Sequence, residues 1–195
     1  MPSFSAWLVQ QDQRPAYAYL RRYLETYDTD ARWVLKTPHH LEWLDVLLDE
    51  FPDARIVHTH RDPGAVVPSF CSMVAHAMGM CSDHVDPLAI GRHWGDKQER
   101  MVQRALATRD ARQPPVLDVH YDRLVAEPMA VIRDIYAFLD TELTPEAEAA
   151  IEAQRQVTRK DRYGRHVYDP ADFGMSVEGI RERYADYLQR FDLSA

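Results

Sequence analysis

The sequence predicts an α/β fold, a parallel sheet flanked by helices. Three short apolar runs of strand type, "RWVLK" (32–36), "ARIVHTH" (54–60) and "PVLDVHY" (115–121), are separated by segments with helical periodicity. Strands that alternate with helices build parallel sheets, because a parallel pair needs a long crossover. The three runs end in "KTPHH", "HTHRDP" and "HYD", all polar and together carrying Lys, His, Arg and Tyr. Open α/β sheets place their ligand sites outside the carboxyl ends of the strands. A site is therefore expected there.

The elements follow in order. "PAYAYLRRYLETYD" (15–28) sets Leu20, Tyr23, Leu24 and Tyr27 at i, i+3, i+4 and i+7 behind a proline, the mark of an amphipathic helix. After the first strand, "HLEWLDVLLDEF" (40–51) carries Leu44, Leu47, Leu48 and Phe51 on one stripe. The second strand meets Asp62, a capping residue, and Pro63 at the first helical position, so a helix runs from there to about Met78. "GMCSDHVD" (79–86) reads as a loop, and 87–111 as a long polar helix. Behind the third strand, 128–140 is a helix opened by Pro128 and 144–156 one capped by Thr144. A basic, aromatic loop (158–174) precedes a last helix over 176–191.

At 195 residues the chain is expected to form one domain over 1–195. Its net charge of −8 argues against a general nucleic-acid or membrane-surface binder, while leaving room for a local basic pocket. No apolar run reaches the length of a membrane span, and the first residues lack the pattern of a signal peptide. Two cysteines, Cys71 and Cys81, are no disulfide framework, so a cytoplasmic location is expected.

Arg61 stands where strand gives way to helix. Helix N–H groups and the helix dipole favour an anion there, and a guanidinium grips phosphate with two hydrogen bonds. Its alternative is an ion pair with Asp62 or another carboxylate. Ser69, two turns into the helix, reaches the same anion only if the entry loop folds back; otherwise it is a surface serine. Lys36 ends the first strand, and "KTP" holds Thr37 extended, which turns the lysine toward a cleft where it could neutralise a transferring group; its alternative is a solvated strand-end lysine. His39 and His40 follow. A histidine near a cation is biased neutral and can act as a base, or it can simply cap the helix. His58 and His60 share one strand face, but two histidines without further motif are a weak metal signal, and no metal is expected. Tyr121, at the end of the third strand, either holds a planar base or lines the core edge.

"VLKTPHHLEWLDVLLDEFPDARIVHTHRDPGAVVPSF" resembles the central segment of the sulfotransferases that use 3′-phosphoadenosine 5′-phosphosulfate (PAPS), above all their bacterial branch. The features recur in order: a lysine after a strand, an amphipathic helix, "FPDAR", a strand, "HRDP", and a serine eight residues after the arginine. The resemblance implies the P-loop-NTPase-like sulfotransferase fold. It implies that Arg61 and Ser69 hold the 3′-phosphate of the donor, that Lys36 contacts the sulfonate, and that Tyr121, in "VHYDRLVAEP", lies near the adenine. "GRHVYDPADFG" and the helix ending in "YLQRF" resemble the carboxyl end of the bacterial branch. His40 stands as a provisional base.

One departure matters. The family opens with a strand and a Gly-Thr-rich loop around the 5′-phosphosulfate, and no segment here matches it. The chain therefore reads as an N-terminally truncated form, the last two-thirds or so of the family domain. The expected activity is transfer of a sulfonate from PAPS to a hydroxyl or amine on a small molecule, lipid or glycan. The alternative is a catalytically inactive nucleotide-binding or interaction module. The scheme needs no metal, and an open sheet edge favours self-association.

Overall fold

The computed structural model describes residues 2–27, 29, 31–157 and 167–193. Its helices and strands are α1 (Pro2–Leu8), α2 (Arg14–Glu25), a 3₁₀ segment (Pro38–Trp43), α3 (Leu44–Glu50), β1 (Ile56–His60), α4 (Pro63–Gly79) and α5 (Pro87–Arg112). They continue with β2 (Val116–His120), α6 (Tyr121–Ala126), α7 (Pro128–Phe138), α8 (Pro145–Val157), a 3₁₀ turn (Pro170–Phe173), α9 (Val177–Arg183) and α10 (Ala185–Arg190). No helix among the described residues is long and apolar enough to cross a membrane.

Two of the three expected strands form. β1 and β2 pair in parallel, in register from Ile56 opposite Val116 to His60 opposite His120. The run at 32–36 is not a strand. Its Trp33, Val34 and Leu35 are 44%, 83% and 41% exposed. An extended segment becomes a strand only when a neighbour takes its N–H and C=O groups, and none does so among the described residues. Two further expectations are corrected. Tyr121 opens α6 instead of closing the strand. The last helix is two helices, broken at Tyr184, whose φ of −105° and ψ of 20° leave the α region. The sequence pattern also passed over α1. Part of the basic loop at 158–174, residues 158–166, lies outside the described residues.

The chain divides into two compact units. One comprises 55–92 and 115–195 and holds the sheet. A two-stranded ladder cannot stand alone, and here helices cover it. Val131 of α7, fully buried, packs with that helix against β2. On the face that carries His58, His60 and Asp118, the C-terminal Phe191 ring stacks on His60 at 3.8 Å. α4 packs against α9 and buries Val67 and Cys71. The 3₁₀ turn rides so close to α5 that a Cβ on Gly91 would stand 2.0 Å from the Phe173 carbonyl oxygen, so only glycine fits there.

The other unit comprises 1–54 and 93–114. Of the expected stripe Leu20, Tyr23, Leu24 and Tyr27, only Leu24 is buried, joined in the core by Tyr17 of α2. Tyr23 and Tyr27 are about half exposed and bond each other through their hydroxyls at 2.8 Å. Leu44 and Leu48 of α3 and Met101 and Ala105 of α5 complete the apolar core. At its edge Glu42, 2% exposed, meets Arg100 at 3.1 Å and the buried Lys97 at 3.5 Å. Arg104 lies over the buried Trp43 ring at 4.4 Å. These contacts pin the 3₁₀ segment to α5. Glu42→Ala is expected to destabilise the protein by about 3 kcal/mol, because Lys97 is left buried without its counter-charge. Urea denaturation checks this, and an unchanged midpoint would show that water already satisfies the lysine.

Candidate functional site

The site is built at the junction of β1 and α4. Asp62 is the cap of α4: its side chain accepts a hydrogen bond from the Gly64 N–H at 2.8 Å, and Pro63 occupies the first helical position. Arg61 is caught between strand end and cap. Its guanidinium lies over the Tyr121 ring, 4.3 Å from the centroid. Stacking uses the face of the guanidinium and leaves its N–H donors along the edges, the geometry that grips a phosphate.

Asp62 is engaged elsewhere. Arg181 of α9 reaches it with Nη2 at 2.6 Å and Nε at 3.2 Å. Burial alone would raise the Asp62 carboxyl. The hydrogen bonds from Arg181 and Gly64 and the charges of Arg181 and Arg61 outweigh that and hold it below the usual carboxylate range. Among the described residues Arg61 makes no ion pair with a carboxylate. The alternative reading of Arg61, pairing with Asp62, is thus taken up by a residue 119 positions away.

Arg61 and Ser69 line one cavity of about 570 Å³ with Val66, Phe70, Met73 and His76. All but Arg61 lie on α4. Val66, Ser69, Phe70, Met73 and His76 follow helical spacing, so the cavity runs along that helix. Its lining holds an arginine, a hydroxyl and an imidazole and no carboxylate. Helix dipole and side-chain charge agree in sign at the Arg61 end. The arrangement suits an anion at one end and an apolar body beyond it.

Lys36 and His40 belong to the other compact unit. Lys36 is exposed and follows the irregular segment. Thr37 is extended, at φ −155° and ψ 142°, as its place before proline requires, and its hydroxyl caps the 3₁₀ segment by accepting from the His39 N–H. His39 is exposed, whereas His40 is half-buried, with its Nδ1 2.9 Å from the Tyr17 hydroxyl. Burial pushes the Tyr17 phenol up to about 12, with the Asp45 charge adding to it, so it stays protonated. Burial, and then the neighbouring His39, hold His40 below the usual imidazole range, so its ring is neutral at pH 7.

His58, His60 and Asp118 bring three potential metal ligands within 4.8 Å of one another. Two of those groups hydrogen-bond each other: His60 Nε2 lies 2.7 Å from Asp118 Oδ1. The other ring nitrogen, Nδ1, lies 2.9 Å from the Tyr187 hydroxyl. A carboxylate only accepts, so Nε2 carries a proton and donates to Asp118. Asp118, His60 and Tyr187 form a hydrogen-bonded chain at the end of β1.

Of the five residues singled out in the sequence, the structure brings Arg61, Ser69 and Tyr121 together within one unit. Sequence reasoning missed Arg181, Tyr187 and Tyr17. Tyr187 opens the "YLQRF" segment that carries part of the resemblance, but the sequence assigns no role to any of the three, and only the fold shows what each touches.

Comparison with known proteins gives the family and the fold. The profile of the Sulfotransferase family matches residues 3–145. The chain belongs to that family. Among solved structures it is similar to sulfotransferase STF9 from Mycobacterium avium, with a TM-score of 0.89 and 28% identity over 100% of this chain and 51% of that one. It is similar also to sulfotransferase STF1 from Mycobacterium tuberculosis H37Rv, with a TM-score of 0.80 and 35% identity over 95% and 48% of the two chains. The chain spans about half the length of each of those proteins. No curated protein sequence matches it. The α/β fold expected from the strand–helix alternation is present, and it matches the sulfotransferase fold that the resemblance implies.

His40 makes stability depend on pH. Its imidazole resists protonation in the folded chain and takes a proton near pH 6.5 in the unfolded one. The unfolded state binds more protons between those values, so stability falls as the pH drops below about 6.5. Urea midpoints at pH 7.5 and 5.5 are expected to differ less in His40→Asn than in the wild type. An equal difference would remove His40 from the acid response.

Proposed function

We propose that this chain is the 3′-phosphate-binding part of a sulfotransferase that takes PAPS as donor and a hydroxyl or amine as acceptor, with 1–195 acting as one sulfotransferase domain. The observation that carries the reading is the uncommitted charge of Arg61. It is stacked on Tyr121, relieved of Asp62 by Arg181, and shares a carboxylate-free cavity with Ser69. Family membership supplies the chemistry that such a pocket would serve. A 3′-phosphate is what separates this donor from ATP, so the arginine sets nucleotide choice.

In the proposed reaction the acceptor oxygen or nitrogen attacks sulfur in line. The bond from sulfur to the 5′-phosphate oxygen breaks, and 3′-phosphoadenosine 5′-phosphate leaves with the electron pair. Lys36 offsets charge on the sulfonate and on the departing oxygen. The acceptor proton passes to His40 Nε2. That role requires the His40 Nδ1 proton to point at the Tyr17 oxygen, which the 2.9 Å contact allows. Tyr121 stands near the adenine, and its other ring face carries Arg61. The acceptor is a small molecule, lipid or glycan.

Calorimetric titration with 3′-phosphoadenosine 5′-phosphate and with AMP tests the donor site, since the two differ by the 3′-phosphate alone. Arg61→Ala is expected to weaken the first by roughly 2–3 kcal/mol, the scale of a charge-assisted contact, and to leave AMP unchanged. Equal binding of the two nucleotides by the wild type would overturn the reading. Lys36→Ala is expected to lower turnover by about 10²–10³ with donor affinity retained. Binding that needs Arg61 without any sulfonate transfer to hydroxyl or amine acceptors would identify an inactive nucleotide-binding module instead.

A further inference from the structure

Both neighbours of Arg61 in the chain are gripped by the C-terminal helix pair. On one side His60, wholly buried, is bonded by Tyr187 of α10 and stacked on by Phe191. Asp118 of β2 closes the other edge of that imidazole. On the other side Asp62 takes the fork of Arg181 from α9. At the second residue of α4, Val177 of α9 comes so close to Gly64 that an added Cβ would stand 2.9 Å from its Cγ1. A hydroxyl from just upstream of the 3₁₀ turn, Tyr168, donates to the Ala65 carbonyl at 2.9 Å. From 60 to 65 the chain thus meets C-terminal side chains at four residues, His60, Asp62, Gly64 and Ala65. Arg61 itself contacts none of these C-terminal groups among the described contacts. It leans on Tyr121.

We infer that α9 and α10 are the positioning element of the phosphate site, with Arg181 as its decisive residue. This rests on the reading of Arg61 as the 3′-phosphate ligand. Arg181 acts through Asp62 in two ways. It fixes the carboxylate that caps α4, and so the first turn whose N–H groups face the anion. It also matches the charge of Asp62, so that the charge of Arg61 is not cancelled by its chain neighbour. Neither task needs Arg181 to touch the nucleotide. Tyr187 and Phe191 fix the end of β1, and with it the direction in which Arg61 leaves the strand.

The test compares nucleotide affinities in the full chain. The wild type is expected to prefer 3′-phosphoadenosine 5′-phosphate over AMP. In Arg181→Ala the first nucleotide is expected to bind about tenfold more weakly, the scale on which supporting contacts change affinity. AMP affinity and melting temperature stay near those of the wild type. Arg181→Lys, which keeps the charge and loses the fork, falls between the two. In an Arg61→Ala background, Arg181→Ala is expected to add nothing, because the two residues serve one contact. Should Arg181→Ala fail to fold, Tyr187→Phe, which keeps the ring and removes one hydroxyl, is expected to show the same selective loss. A wild type that prefers the 3′-phosphate beside an Arg181→Ala variant with the same preference would overturn this inference alone. So would a loss that persists in the Arg61→Ala background. A wild type that binds both nucleotides alike would overturn the phosphate-site reading, and this inference with it.

Discussion

The Asp62 carboxylate is the constraint on which the site depends. It caps α4 through the Gly64 N–H and receives the Arg181 fork, so one side chain joins a helix start to the C-terminal helices. A carboxylate between two arginines could have neutralised the one that precedes it. Committing it to the distant arginine leaves a local net positive charge at a helix N-terminus. The chain as a whole carries −8. A cationic pocket in an acidic molecule is a local device: it draws an anion at close range, without the broad positive surface that nucleic acid would need.

Behind that junction the unit is polar where a sheet interior is usually apolar. Two histidines and an aspartate stand on one face of a two-stranded ladder. A buried imidazole is tolerated only when both its nitrogens are satisfied. Here Asp118 and Tyr187 take them, and Phe191 covers the ring. Directional contacts fix geometry more tightly than apolar packing does, because a hydrogen bond has a narrow range of angles. These contacts bear on the last residue of β1, the one that precedes Arg61. Removing the Asp118 carboxylate or the Tyr187 hydroxyl would leave one nitrogen of the buried His60 ring without its partner, at a cost of about 1–3 kcal/mol.

Local signals in the sequence show local structure well. The Asp-Pro-Gly start of α4, the prolines that open α2 and α7, and the Thr144 side chain that accepts from Ala147 at the start of α8 all lie where the residues alone put them. Arg61 and Ser69 fall on one cavity because only the Asp62 cap and the first two turns of α4 lie between them. The apolar run at 32–36 misled, since strand character is decided by a partner and not by the run itself. The split of the last helix at Tyr184 has no proline or glycine to announce it. Arg181, Tyr187 and Tyr17 were hidden for another reason. Each matters through a contact far away in the chain, and a charged or aromatic residue on an amphipathic helix looks the same whether it faces water or a site.

The arrangement also says why the arginine sits next to its own potential inhibitor. A helix that binds an anion at its start needs its first N–H groups pointed outward, which requires a cap, and the strongest caps carry oxygen. Asparagine or serine would cap without charge. Aspartate brings a negative charge that must be answered, and an arginine from α9 answers it. The cost of using aspartate is therefore a dependence on the C-terminal helices. Under the proposed 3′-phosphate role of Arg61, the gain is that phosphate binding becomes coupled to whether those helices are docked. Coupling of this kind needs no movement of Arg61 itself, only the release of Asp62, whose carboxylate would then compete with the phosphate for the same guanidinium.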